Sequence, residues 1–379
     1  MWQMYNLLMA LQGCSPVERG TSARRILAEL HLPFRTLHQQ SSVAHLRRSA
    51  TPTSGTNTGN PSDAMSQSPP IVIKRLDRHT TSYPFIDPQR FQGALLGRVA
   101  VVTGAGRGIG KAIALAFSQA GANVACVSRT RQETNEVVQE IARLGYPKAL
   151  GICADVSSDV GISEIITETK QTFGAIHILV NNAGLDRIGS LQHDPSFSSW
   201  WHVFEVNTKG PVALTRQVLA GMLSQNKGVL IHIGSRNAIS NHPFMTAYSA
   251  SKAALLRFHQ CLHLELQGTN VQTFYLQPGD VATSFMHGGI ANAEEVKQAP
   301  ELQSMVNIMQ EAMTEGQSNS PRLAADTCVA LAALPDASPL SGLYLDATHD
   351  LEQMLADLCR GKDSTIKKWE LYSLKADIL

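Results

Sequence analysis

Tyr248 and Lys252 stand out as residues that could do chemistry, in the run Tyr248-Ser249-Ala250-Ser251-Lys252. A spacing of four puts both side chains on one face of a helix. A free phenol titrates near ~10, too high for a base at neutral pH. A neighbouring ammonium favours the phenolate and lowers that value. Such a phenol can give a proton to a carbonyl oxygen or take one from an alcohol. Tyrosine and lysine also meet at this spacing by accident, so the pair needs a second feature that supplies the rest of a reaction.

Upstream lies a glycine-rich turn, Thr103-Gly104-Ala105-Gly106-Arg107-Gly108-Ile109-Gly110. A strand-like run precedes it and a helical run follows, the context in which such a turn holds a dinucleotide. Glycines permit the tight turn and let the backbone approach a pyrophosphate. The helix start then offers N–H donors and the positive end of its dipole. The candidate cofactor contacts here are Gly104, Arg107, Gly108, Ile109 and Gly110. An oxidised nicotinamide beside Tyr248 would favour the phenolate further.

Enzymes that use NAD place an acid at the end of the second strand to bind the ribose 2′-hydroxyl. Ser128-Arg129 stand there instead. Arg107 adds a second guanidinium, and guanidinium is the group that matches a phosphate. The expected cofactor is NADP(H), with NAD(H) left open.

The elements that must position these residues begin near Leu96. Arg98–Thr103, Asn123–Ser128, Ala149–Ala154, Ile176–Asn181, Val229–Gly234, Val271–Leu276 and Gly342–Leu345 read as strands. Helical runs at Lys111–Ala120, Thr130–Leu144, Ser158–Phe173, Phe197–Ser224, Ala247–Gln267 and Pro321–Leu334 separate them. Strands that are apolar throughout are buried on both faces. Their alternation with helices predicts an α/β fold, a doubly wound Rossmann sheet of seven parallel strands with helices on both faces.

The spacing Gly-x-x-x-Gly-x-Gly resembles the short-chain dehydrogenase/reductase family, and the resemblance runs from about Leu96 to the C-terminus. Asp155 in Ala-Asp-Val looks like the family residue beside the adenine. Asn181-Asn182-Ala183-Gly184 resembles the family segment that steadies the sheet and flanks the cofactor. Pro278-Gly279-Asp280-Val281-Ala282-Thr283 is similar to the segment that meets the nicotinamide amide, through Val281 and Thr283. Ser235 has the family spacing ahead of Tyr248, and its implied role is a hydrogen bond to the substrate oxygen. The resemblance further implies that Lys252 binds the nicotinamide ribose. It implies too that Asn207, in Phe-Glu-Val-Asn-Thr-Lys-Gly, holds a water that passes protons to the lysine. The C-terminal stretch Leu340–Ala347 and the tail Ile366–Leu379 resemble filamentous-fungal reductases of secondary metabolism. The implied substrate is a small carbonyl or alcohol, such as a polyketide or terpenoid. The helices Phe197–Ser224 and Ala247–Gln267 resemble the family's subunit interface, which implies a homodimer or homotetramer.

Two rival readings are an NAD-dependent epimerase or dehydratase and a non-catalytic NADP-binding redox sensor. The tight Gly104/Gly108/Gly110 spacing opposes the first, and the Tyr248/Lys252 pair the second. Composition narrows the classes further. The formal net charge is +1, which gives no reason to expect a nucleic acid partner. Six scattered cysteines with no C-x-x-C pair suggest free thiols and no metal site. No apolar run is long enough to cross a membrane.

Residues 1–90 read as an irregular, largely disordered extension, and 91–379 as the dinucleotide-binding domain with a substrate loop at 284–320. The first 70 residues hold six arginines, no lysine and three acids, the composition of a mitochondrial transit peptide. Met65 is an alternative start. A cytoplasmic location is expected, with mitochondrial import open. His232 reads as a core histidine, and Trp200 and Trp201 as packing or interface residues. The run Met286, Met305, Ile308, Met309, Met313 reads either as a lid over substrate or as ordinary helix packing.

Overall fold

The protein is described by a computed structural model over residues 76–194, 197–282, 293–299, 301–304, 306–307 and 318–368. The expectations for residues 1–75, Thr283, the proposed methionine lid and residues 369–379 lie outside these. A compact unit spans Ile73–Leu379.

Seven strands form one sheet: β1 Val99–Thr103, β2 Asn123–Ser128, β3 Ala149–Cys153, β4 Ile178–Asn181, β5 Gly228–Ile233, β6 Val271–Gln277 and β7 Tyr344–Asp346. Their order is β3-β2-β1-β4-β5-β6-β7 and all neighbours are parallel. Between β1 and β4 the order reverses. That switch point opens a crevice at the carboxyl ends of the strands, where ligands of such sheets bind.

Successive residues of a strand point to opposite faces, and two cores result. Ala100, Val102, Ile178 and Val180 face one core, covered by α1 Gly108–Gln119, α2 Arg131–Arg143, α8 Pro321–Ala333 and α9 Leu351–Leu358. Val101, Leu179 and Leu230 face the other, beneath α3 Asp159–Phe173, α5 Gly210–Ser224 and α6 Thr246–Glu265. The remaining helices used below are α4 Phe197–Phe204 and α7 Ala293–Gln298.

The single helix expected over 197–224 is interrupted. A π-helical turn, Glu205–Lys209, joins α4 to α5. Pro211 supplies the cause. It has no N–H, so the Asn207 carbonyl loses its α-helical donor, and the ring crowds that same carbonyl. The helix widens for one turn, and Asn207 sits in it.

Residues 76–90, read as part of the irregular extension, are packed on the domain together with residues 91–95. Phe85, Ile86, Phe91 and Leu95 are buried in the main core. Tyr83 Oη accepts the Leu351 N–H at 2.7 Å, and His79 stacks on Tyr83 at 3.7 Å. This strap therefore holds α9 against the sheet. It escapes sequence reading because its burial follows two 3₁₀ turns, Pro84–Ile86 and Pro88–Phe91, and no helical or strand period. Among the described residues five cysteines are free, no side-chain cluster could hold a metal, and no helix is long and apolar enough to cross a membrane.

Candidate active site

Tyr248 and Lys252 lie in the first two turns of α6, and Ser235 lies two residues past the end of β5. Ser235 lies near enough to the Tyr248 phenol to favour its ionised form. Lys252 Nζ stands 5.8 Å from the Tyr248 ring centroid and donates to the Ile233 carbonyl at 2.9 Å. Both side chains are buried. Burial is the largest influence on each. It pushes the Tyr248 phenol well above its usual range, helped by Asp186 and opposed by Ser235. It pulls the Lys252 ammonium down to about 8, against the attraction of Asp186. The lowered phenol expected from sequence is thus not a property of these side chains alone, because desolvation of the phenolate dominates.

Tyr275, on β6, holds the constellation together and was missed by sequence reading. Its hydroxyl accepts the Ser235 N–H at 3.1 Å and donates to the Lys252 carbonyl at 3.2 Å. Its ring rests on Gly234, where an added Cβ would come within 2.1 Å of it. The available signal was a tyrosine inside the apolar run Val271–Gln277, since a buried phenol needs partners.

Asn207 was expected to hold a water. Its side chain is already engaged: Oδ1 accepts from Leu185 N at 2.7 Å, while Nδ2 donates to Leu185 O at 2.8 Å and Ser251 Oγ at 3.0 Å. Ser251 Oγ donates in turn to the Tyr248 carbonyl at 2.7 Å. Asn207 therefore braces the loop after β4 against α6.

That loop carries a second residue the sequence did not reveal. Asp186 is buried, and one carboxyl oxygen has no hydrogen-bond partner. Burial raises its pKa to about 6, against the Arg187 N–H and the charge of Lys252. Ile188 packs with Met245, Tyr248, Ala299 and Leu302, an apolar wall beside the phenol. Arg187 pairs with Asp194 at 3.0 Å and with Glu295 of α7 at 2.9 Å. This buried clasp ties the loop to the described part of the substrate segment. Trp200 stacks between Phe197 and Phe204 and donates to Thr246 Oγ1 at 3.0 Å, a packing role.

At the other end of the crevice, Gly104 and Gly108 have φ of +65° and +56°. A Cβ on Gly110 would lie 2.1 Å from the Gly104 carbonyl, so α1 seats directly on the turn. No side chain caps the start of α1 at Arg107. Its first N–H groups thus remain available for a phosphate, and the turn fits a dinucleotide. Ile109 packs against the core. Asn182, not Asn181, touches this turn, donating to Thr103 O at 2.8 Å and Gly104 O at 3.3 Å. Strand alternation sends Asn181 to the opposite face, where Nδ2 meets Thr215 Oγ1 and His232 Nδ1. His232 is a core residue as read, kept neutral by burial that takes its pKa to about 3.

Asp155, past β3, accepts from Ser157 N and Oγ at 2.8 and 2.7 Å. Burial works against its charge, but these bonds and Arg129 keep its carboxyl below the usual range. Val281 is buried just after β6. Ser128 ends β2 with Arg129 next to it, as expected. The acid thought to be missing here comes from α2: Glu133 accepts from Ser128 Oγ at 2.9 Å and from Arg107 Nη1 at 3.4 Å.

A switch-point crevice with a phosphate-ready turn at one end and a phenol and ammonium at the other defines a dinucleotide-dependent oxidoreductase. Comparison with known proteins agrees. The family model for short chain dehydrogenases matches residues 98–294. A short chain dehydrogenase of Pseudocercospora fijiensis is 37% identical over 300 residues, which cover 79% of this chain and 95% of that protein. Two solved structures, each 28% identical, share the fold. One is a 7α-hydroxysteroid dehydrogenase complexed with NADH and 7-oxo glycochenodeoxycholic acid, with TM-score 0.58 over 69% of this chain and 96% of the other. The second is a metagenomic short-chain oxidoreductase in complex with NADP, with TM-score 0.52 over 65% and 95%. The chain belongs to the short-chain dehydrogenase/reductase family and is an oxidoreductase of CH–OH groups.

Proposed function

We propose that this chain moves a hydride reversibly between NADP(H) and the carbonyl or alcohol carbon of a small organic molecule. The observation that carries this reading is the buried meeting of the Tyr248 phenol, Ser235 and the Lys252 ammonium, the last 5.8 Å from the Tyr248 ring centroid. The nicotinamide, when bound, supplies or accepts the hydride, and its oxidised form adds the positive charge that makes the phenol more acidic. Everything else falls to the chain's own side chains. Tyr248 gives its proton to the carbonyl oxygen in reduction and takes it back in oxidation. Ser235 donates to that same oxygen and stabilises the charge growing there. Lys252 sustains the phenolate and binds the nicotinamide ribose. Asn207 holds the loop and α6 in register.

Ser128, Arg129 and Arg107 favour NADP(H) over NAD(H). The wall formed by Ile188, Met245 and Leu302 suits an apolar substrate body. With the resemblance of the C-terminal stretch to reductases of secondary metabolism, it supports a polyketide or terpenoid carbonyl.

The test is NADPH consumption with a panel of ketones and quinones. Tyr248→Phe is expected to lower kcat/KM at least ~100-fold and Ser235→Ala about 100-fold, with cofactor binding kept. Turnover that survives Tyr248→Phe unchanged refutes the assignment. A chain that binds NADPH but reduces nothing would favour the redox-sensor alternative.

A further inference from the structure

The corner between β2 and α2 holds groups that suit a 2′-phosphate and one that opposes it. Ser128 Oγ has a single proton, and it is given to Glu133 Oε2 at 2.9 Å. The other oxygen of the same carboxylate faces Arg107 Nη1 at 3.4 Å. Glu133 also lies over the glycine turn. A Cβ built on Gly106 would fall 2.5 Å from Glu133 Oε2 and 2.7 Å from its Cβ. The carboxylate is thus seated on two of the three groups that a 2′-phosphate would use.

We propose that Glu133 sets the nucleotide preference of this chain, standing where the 2′-phosphate would sit and accepting from a bare 2′-hydroxyl, so that NADH is admitted alongside NADPH. This rests on the nicotinamide reading above and refines it. A phosphate arriving at Ser128 meets a like charge and a proton already spent. It must turn Glu133 aside to gain both Ser128 and Arg107. A ribose hydroxyl meets a ready acceptor, the role an acid at the end of β2 plays in NAD enzymes. Here that acid comes from the first turn of the next helix, where reading along the strand end does not find it. Because Glu133 and Arg107 are partly open to solvent, salt should weaken the discrimination.

The experiment titrates NADPH and NADH, followed by nicotinamide fluorescence, into the full chain, Glu133→Gln and Glu133→Ala. Low and high salt are compared, and a thermal melt of each variant checks folding. The expected result is a rise of about tenfold in the NADPH-over-NADH affinity ratio for Glu133→Gln, from tighter NADPH and weaker NADH, with a smaller rise at high salt. Glu133→Ala should move the ratio the same way. An unchanged or falling ratio overturns the proposal, since Glu133 would then be orienting Ser128 and Arg107 for the phosphate. Failure of the unaltered chain to bind either nucleotide overturns the cofactor reading and this inference together. Binding of both with an unmoved ratio overturns the inference alone.

Discussion

Asp186 is an acid 5% exposed, placed where its charge acts on both Tyr248 and Lys252. Its carboxyl titrates at about 6 in the folded chain, against an ordinary 3.8, mainly because burial penalises the charged form. Below about 4 it is protonated in both folded and unfolded states and costs nothing. As pH rises through about 6, the unfolded chain has already released the proton that the fold retains, and stability is lost. The cost at neutral pH is about 3 kcal/mol. Asp186→Asn should therefore melt about 5 °C higher than the natural chain at pH 8 and no higher at pH 4. An equal gain at both values would show that charge is not the cause. Nothing in the run Gly184-Leu185-Asp186-Arg187 marks this residue, because its significance comes from α6, some sixty positions away. Tyr248 and Lys252 were legible for the opposite reason: both sit on one helix, and spacing alone pairs them.

At the scale of elements, strands buried on two faces declare themselves by apolar runs, so the sheet could be read directly. What escaped were devices that join elements. The π turn follows from Pro211, a visible residue whose effect falls on the carbonyl four positions back. The strap over 76–95 has no period to detect. Phe91→Ala in that strap should cost about 3–5 kcal/mol in chemical denaturation, and an unshifted midpoint would remove the residue from the core. The Arg187 clasp gives a different signature. It joins the loop after β4 to α7, so Arg187→Ala should raise KM for the reduced ketone about tenfold while kcat changes less. A loss confined to kcat would mean that the clasp serves the chemistry and not the binding of substrate.

At the scale of the molecule, parallel strands bring the ends of β1, β2, β4, β5 and β6 to one rim, and residues from Gly104 to Val281 meet there. The doubly wound order was predictable because parallel strands need crossover helices. Oligomer state was not, because it depends on surfaces and not on periodicity. α5 and α6 leave Leu223 and Leu264 exposed, 41% and 69%. We propose a dimer or tetramer on the family resemblance of these helices. Light scattering should give a multiple of the chain's 41.0 kDa at micromolar concentration. A monomer mass there would end the proposal.

The ring of Tyr275 against the bare backbone of Gly234 couples two positions far apart in the chain. A methyl group at 234 would expel that ring and release Ser235 and Lys252 in one stroke, so Gly234→Ala should mimic a double loss. A side chain at 234 is sterically compatible only with a smaller residue at 275.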